Sequence, residues 1–80
     1  MEMDKWMTRL RAERLRRGWR LDDLAHHSRL SSSDISKLET GRLRPSPTQL
    51  QRLARVLRTD AASLMDRVEM REATPRSGNR

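Results

Sequence analysis

The sequence predicts an all-α protein of five short helices, and three observations support this fold class. A chain of 80 residues can bury only a modest core, and helices packed on helices build such a core economically. The chain contains no Tyr or Phe and no run of strictly alternating polar and apolar residues, so we expect no strand. The apolar residues instead recur at spacings of three and four, which is the period of an α-helix.

The first two helices are expected over residues 4–17 and 21–28. Gly18 ends the first helix, because glycine readily takes the left-handed conformation that often follows a helix. Trp19 then lies in the connection, where its large ring is expected to fill core. The apolar faces of these helices consist of Trp6, Met7 and Leu10 in the first and Leu21, Leu24 and Ala25 in the second.

The third helix opens on a group of serines. Ser31 is its expected N-cap and Asp34 lies at the third helical position, which is a variant of the capping box. Ile35 and Leu38 would face inward, and Gly41 would end the helix.

A fourth helix repeats this capping pattern with a longer apolar face. Ser46 is the expected cap, Pro47 takes the first helical position and Gln49 is the return partner of the capping box. The apolar stripe consists of Leu50, Leu53, Ala54 and Leu57. Such an unbroken stripe is typical of a helix with one buried face.

Asp60 is expected to cap a fifth helix that ends near residue 72. Its stripe consists of Ala61, Leu64, Met65 and Val68. Residues 1–72 therefore form the predicted domain, and the polar segment 73–80 is expected to be a disordered tail.

The charge balance indicates an anionic partner. Eighteen Lys and Arg against eleven Asp and Glu give a formal net charge of +7, which favours nucleic acid. An acidic membrane surface is disfavoured, because no predicted helix pairs a wide apolar face with a lysine-rich one. The chain has no cysteine, no secretory signal pattern and no apolar run long enough to span a membrane. We expect a soluble cytoplasmic protein with no membrane partner.

The sequence predicts no enzyme activity, no metal and no cofactor. His26 and His27 are adjacent, so they point about 100° apart around a helix and cannot share a metal ion. Serine, histidine and aspartate do occur together within residues 22–34, but short exposed helices offer no pocket for a substrate. A solvated helix face is the expected role of both histidines.

Two short helices around a tight turn near Arg29 form the arrangement of a helix-turn-helix. Residues 10–68 resemble the DNA-binding domain of the Cro and phage-repressor (XRE) family of bacterial regulators. The resemblance is carried by RGW at 17–19, LDDLA at 21–25, LSSSDISKLETG at 30–41, PSP at 45–47 and LQRLARVL at 50–57. It implies a compact, five-helix, lambda-repressor-like DNA-binding domain.

The resemblance also implies roles for individual residues. Residues 31–40 would be the recognition helix, which lies in the major groove of DNA. The base-reading residues would be Ser32, Ser33, Ser36 and Lys37. The phosphate-contacting residues would be Arg20, Thr40, Arg42 and Arg44. A partly buried ion pair of this family would be formed by Arg14 and Glu39.

Three positions depart from the family pattern. Arg29 ends the second helix and Arg58 ends the fourth, where the family usually has glycine in the left-handed conformation. A residue other than glycine costs roughly 1 kcal/mol in that conformation. Leu21 replaces a glutamine that often contacts a phosphate in the family.

The expected function is sequence-specific binding of double-stranded DNA by a transcriptional regulator, a repressor that acts as a homodimer on an inverted-repeat operator. The stripe of the fifth helix exceeds what a small core can cover, and such leftover apolar surface marks an interface. The expected interface consists of Leu64, Met65 and Val68, with the N-terminal methionines as the second candidate. Two alternatives stay open: the antitoxin of a toxin-antitoxin pair, whose protein partner is a toxin, and a restriction-modification controller.

Overall fold

The computed structural model describes residues 6–69 of the chain. Within this range the fold is mostly helical, with four α-helices and a small two-stranded antiparallel sheet. The elements follow in the order β1 (Trp6–Thr8), α1 (Arg9–Arg16), α2 (Leu21–Ser28), α3 (Ser32–Glu39), α4 (Pro47–Leu57), a 3₁₀ turn (Ala61–Ser63) and β2 (Arg67–Glu69). The prediction of an all-α, five-helix fold holds only in part: the described residues are mostly helical, but they include a sheet, and the count of five helices is not confirmed.

Local sequence signals account for α3 and α4. The Ser31 hydroxyl accepts a hydrogen bond of 3.0 Å from the backbone N–H of Asp34. In the same way Ser46 accepts from the N–H of Gln49 at 3.1 Å, and the Gln49 side chain accepts from the N–H of Ser46 at 3.0 Å. These bonds satisfy backbone donors that have no partner inside a helix. Both predicted N-caps are therefore confirmed, but the reciprocal bond of a capping box forms only in α4, because the Asp34 side chain does not bond to the N–H of Ser31.

The first helix is shorter than predicted, because a strand occupies its expected beginning. Residues 6–8 form β1, and Met7 pairs with Val68 of β2 in antiparallel register. Met7 is buried while Trp6 is 44% exposed, which is the alternation of a strand. Thr8 ends β1 and caps α1, since its hydroxyl accepts a 3.2 Å hydrogen bond from the N–H of Arg11. The prediction that the chain forms no strand is wrong.

The predicted fifth helix is also wrong for the described residues. Asp60 caps only the 3₁₀ turn, and the chain then extends into β2. The backbone N–H groups of Arg9 and Leu10, at the start of α1, donate to the carbonyls of Asp66 and Leu64 at 2.8 and 2.9 Å. Those carbonyls would accept bonds from within their own segment in a continued helix. The last predicted helical residues, 70–72, and the predicted tail, 73–80, lie outside the described residues.

The core collects one apolar stripe from each helix. Its fully buried side chains are Leu10, Leu24, Ile35, Leu38, Leu53, Leu57 and Leu64. Trp19 packs against this cluster as expected, and a second, smaller cluster unites Met7, Ala12 and Val68 under the sheet. Because α2 and α3 direct leucine and isoleucine inward, their polar residues are left on the opposite side.

Glu13 is the centre of an arginine cluster on α1. Its carboxylate lies 2.9 Å from Nη1 of Arg17, 3.2 Å from Nη1 of Arg16 and 3.7 Å from Nη1 of Arg9. Partial burial alone would raise the pKa of the Glu13 carboxyl. The hydrogen bonds from Arg17 and Arg16 and their positive charges outweigh this effect, so the pKa lies below the usual 4.5.

The variant Glu13→Gln should lower thermal stability at neutral pH and lose that effect in acid. A carboxyl whose pKa is lowered by folding contributes stability above its unfolded pKa, here 4.5. That contribution is lost as the pH falls through the folded-state pKa. Melting temperatures across the range from neutral pH to well below the folded-state pKa measure it. The two proteins should differ at neutral pH and converge in acid, whereas a difference independent of pH would contradict the assignment.

Candidate nucleic-acid interface

Two eight-residue helices and a three-residue turn form the candidate interface. At the start of α2 the Asp23 carboxylate accepts a 2.8 Å hydrogen bond from the N–H of Arg20. The helix ends at Arg29, whose N–H donates to the carbonyl of Ala25 at 2.8 Å. Arg29 has φ 62° and ψ 32°, so the chain turns through a left-handed residue before Ser31 opens α3. Arg29 stands where the resemblance to the Cro and phage-repressor family would place glycine, but the turn keeps the left-handed geometry.

Arg29→Gly should therefore raise the free energy of unfolding by about 0.5 to 1 kcal/mol. The gain arises because glycine has no Cβ to oppose φ 62°, and the greater freedom of glycine in the unfolded chain offsets part of it. Urea denaturation measures the change. Arg29→Ala is the matched control, since it removes the same charge but keeps the Cβ, and it should give no such gain. Equal stability of the glycine and alanine variants would contradict the prediction.

The four predicted base-reading side chains share one side of α3. They lie at positions i, i+1, i+4 and i+5 of the helix, which places them on a common face. Ser33 and Lys37 are exposed, and Ser32 and Ser36 are half-buried. The opposite side of α3 carries Ile35, which is fully buried in the core. The inward apolar face thus fixes the polar face toward solvent.

The four predicted phosphate-contacting residues are all exposed and lie beside α2 and α3. Arg20 is the N-cap of α2, and Arg42 and Arg44 lie in the loop between α3 and α4. The N–H of Arg42 donates to the carbonyl of Lys37 at 2.8 Å, which holds the loop against α3. Thr40 is the C-cap of α3, and its hydroxyl donates inward, to the carbonyl of Ser36 at 3.1 Å. A phosphate contact through Thr40 therefore requires that hydroxyl to rotate.

Arg14 and Glu39 form a bidentate ion pair inside the protein. Arg14 Nε lies 2.7 Å from Glu39 Oε2, and Nη2 lies 2.9 Å from Oε1. The side chains are 9% and 4% exposed. Nη1 of Arg14 also donates to the carbonyl of Trp19 at 2.8 Å. This pair joins α1 and the chain before α2 to the last residue of α3, so it sets where the polar face of α3 lies.

The predicted interface residues occupy different environments. Leu64 is fully buried in the main core and Val68 is 5% exposed in the smaller cluster. Met65 is half-buried and lines a groove together with Trp6. The helical stripe that would display all three on one surface is not formed.

The two histidines lie at the surface of α2. His27 stacks on Trp19, with ring centroids 4.7 Å apart and an angle of 22° between the planes, and His26 meets His27 edge-on. Residues 6–69 contain no group of three or more His, Cys, Asp or Glu side chains that could hold a metal ion. Over the same range we find no helix with the length and apolar character needed to cross a bilayer.

The sequence indicated no role for Arg52 or Arg55, yet both line a groove between α2 and α4. Thr48, Gln51, Arg52 and Arg55 follow the spacing i, i+3, i+4, i+7. That spacing is a signal for one polar face of a helix. The partner wall comes from α2, so the groove itself depends on how the two helices pack.

Comparison with known families identifies the domain that contains this candidate interface. The family model of the helix-turn-helix domain matches residues 8–68. The chain belongs to the helix-turn-helix domain family. The matched region of this helix-turn-helix protein runs from the cap of α1 into β2, so it includes the ion pair, the turn and the α3–α4 loop. Neither a curated protein nor a solved structure matches the chain. Membership indicates a DNA-binding protein, and domains of this family are typically not enzymes.

Proposed function

We propose that this helix-turn-helix protein is a sequence-specific transcriptional regulator of double-stranded DNA, of the Cro and phage-repressor type, that acts as a repressor in the cytoplasm. One observation carries the proposal. Ser32, Ser33, Ser36 and Lys37 form a solvent-facing polar side of α3, and none of their side chains has a hydrogen-bond or ion-pair partner among residues 6–69. A helix with an anchored inner face and free polar groups outside suits the major groove.

The serines and the lysine read bases in different ways. Serine is short, so α3 approaches the base edges closely, and each hydroxyl can donate or accept a hydrogen bond. This chemistry suits several bases and discriminates weakly among them. Lys37 can donate only, and guanine O6 and N7 are the acceptors that it fits in the major groove. Lys37 therefore carries the sharpest preference in the proposed interface.

Phosphate contacts on both sides of α3 hold it in register. Arg20 at the start of α2 reaches the backbone where helix amides also favour an anion. Arg42 and Arg44 reach it from the loop that follows α3, with Thr40 as a fourth contact. Such contacts fix orientation without reading sequence.

The protein binds its operator as a homodimer in this proposal. Two recognition helices set about 34 Å apart meet successive major grooves, so the operator is an inverted repeat with half-sites roughly 10 base pairs apart. Of the three predicted interface residues, Met65 is the one whose side chain is partly exposed and can contact a second protomer. Leu64 and Val68 are buried within their own protomer. The neighbouring Trp6, 44% exposed, enlarges the apolar area around Met65.

The variant Lys37→Ala tests the proposal directly. It should change the preference at one base position by roughly 1 to 3 kcal/mol, because a specific donor to guanine is removed. Selection of bound sites from a random DNA pool with the unmodified protein defines the operator, and gel-shift titrations on it and on a base-substituted operator measure the preference.

Arg11→Ala is the matched control, since it removes one positive charge from an exposed position on α1. It should leave the base preference unchanged. Equal losses of Lys37→Ala on the operator and on random duplex would reassign Lys37 to a phosphate. Recovery of no preferred site from the pool would contradict sequence-specific regulation.

A further inference from the structure

A concave groove with a basic lining lies between α2 and α4. It encloses about 450 Å³. None of the four proposed base-reading residues of α3 lines it. Its principal lining residues are His27 and Arg29 at the end of α2 and Thr48, Gln51, Arg52 and Arg55 on one face of α4. The groove is thus a separate surface of the domain.

The positive charge of the groove has no counterpart in the described part of the chain. No Asp or Glu is among the described residues that line it. The guanidinium groups of Arg29, Arg52 and Arg55 make no ion pair or hydrogen bond with any residue in 6–69. By contrast, three arginines of α1 and Arg17, which directly follows it, are paired with Glu13 or Glu39. Like charges in a concave surface focus a positive potential, which attracts an anion.

The backbone at Arg29 supports a role for its side chain. Arg29 holds φ 62°, a conformation that glycine takes without strain. Backbone strain of this kind is often retained where a side chain contributes to a site. The Arg29 side chain lines the groove, so the groove is the site that this backbone strain indicates.

The arrangement of donors matches one anion well. Arg52 and Arg55 are three residues apart on α4, so their side chains lie next to each other. A guanidinium offers parallel N–H donors that fit two oxygens of a phosphate. Thr48 and Gln51 add neutral donors along the same face. We propose that this groove binds a phosphate group, held by Arg52 and Arg55 from α4 and by Arg29 from the α2 side.

The phosphate can come from two sources. A free phosphorylated small molecule would enter the groove as an effector, and its contact with Arg29 lies two residues before the cap of α3. A DNA backbone phosphate would instead extend the footprint of the protein beyond the contacts of α2 and α3. The second source rests on the proposed function, and the first does not.

The test compares two charge-matched double variants of the full chain. Arg52→Ala/Arg55→Ala removes two arginines from the groove, and Arg16→Ala/Arg58→Ala removes two exposed arginines that line neither this groove nor the one beside Met65. All four positions are exposed, and circular dichroism checks that both variants keep the helical fold. In the first arm, calorimetry and backbone amide NMR follow the titration of each protein with pyrophosphate and with ADP.

A free-phosphate source predicts that pyrophosphate or ADP shifts the amides of residues 27–29 and 51–56 in the unmodified protein. The groove variant should then bind roughly tenfold or more weakly, since two charge-assisted contacts are lost, while the control variant binds as before. In the second arm, affinity for a long duplex is measured against salt. A DNA source predicts that the groove variant reduces the log–log salt slope by about 2, since each phosphate contact contributes about 0.9, and that the control does not.

Equal behaviour of the groove and control variants in both arms would overturn the proposal. Failure of this proposal and failure of the proposed function give different results. If the unmodified protein binds no DNA but takes pyrophosphate in the groove, the regulator proposal fails and the groove stands. If Lys37→Ala changes base preference while the groove variant matches its control in both arms, the regulator proposal stands and the groove fails.

Discussion

Glu39→Ala should lower the free energy of unfolding by about 3 kcal/mol, because it leaves the Arg14 guanidinium buried without its carboxylate. Both bonds of the pair are short, at 2.7 and 2.9 Å, and the two side chains are 9% and 4% exposed. The remaining bond from Arg14 to the carbonyl of Trp19 cannot neutralise the charge. Urea denaturation monitored by circular dichroism measures the loss.

Two controls separate the stranded charge from the mere loss of a side chain. Arg14→Met/Glu39→Leu removes both charges and keeps apolar volume, and it should recover much of the stability, since buried ion pairs are often replaceable by apolar pairs. Glu69→Ala, in β2, removes a carboxylate outside the core and should cost less. An unchanged unfolding midpoint for Glu39→Ala would contradict the role given to the pair. The same variant should also weaken operator binding, because the pair positions the end of α3.

DNA affinity should fall several hundredfold for each bound subunit between 50 and 200 mM salt. If about five phosphates are neutralised per subunit, counterion release gives a log–log slope of about −4 to −5. The formal net charge of +7 and the exposed Arg20, Arg42 and Arg44 are the source of this dependence. Fluorescence anisotropy with a labelled duplex at a series of salt concentrations measures the slope.

Arg42→Ala/Arg44→Ala should reduce the slope by about 2 and weaken all sequences alike, because these residues are assigned to phosphates. The charge-matched control is again Arg16→Ala/Arg58→Ala, which should leave the slope nearly unchanged. A slope near zero for the unmodified protein would contradict electrostatic binding to the DNA backbone. A change of base preference in the loop variant would instead assign one of its arginines to a base.

The middle of the fold could be predicted from the sequence because its signals are local. Ser31 and Ser46 cap helices through bonds to residues three positions away, and the stripes of α2 to α4 repeat within one or two turns. The two ends of the fold lack such signals between neighbouring residues. Met7 and Val68 pair across nearly the whole described chain, and neither three-residue strand is long enough to show an alternating pattern.

The stripe from Ala61 to Val68 shows why a helical period can mislead. Leu64 and Val68 are buried, as a helix would require, but the chain buries them from a 3₁₀ turn and a strand. The deciding interaction is the capture of the Leu64 and Asp66 carbonyls by the first N–H groups of α1. That interaction depends on tertiary structure, which overrides local preference.

The sequence predicted some parts of the candidate site and missed others. The side of α3 that faces solvent follows from the positions of Ile35 and Leu38, so the exposure of Lys37 could be inferred from spacing. The pairing of Arg14 with Glu39 came only from family resemblance, since nothing in the spacing of the two residues indicates contact. The basic groove was missed, because residues of α2 and α4 meet only after the helices pack.

The closure of the chain by β1 and β2 also sets an order of events during synthesis. The start of α1 leaves the ribosome early, yet the carbonyls that accept the N–H groups of Arg9 and Leu10 belong to Leu64 and Asp66. Likewise, Met7 cannot be buried until Val68, its partner in the sheet, has been synthesised. A nascent chain that ends at residue 60 therefore holds both helices of the helix-turn-helix but cannot complete its core. The domain becomes competent only when nearly all of it has been translated, so a prematurely terminated product offers exposed leucines to the proteases that clear unfolded chains.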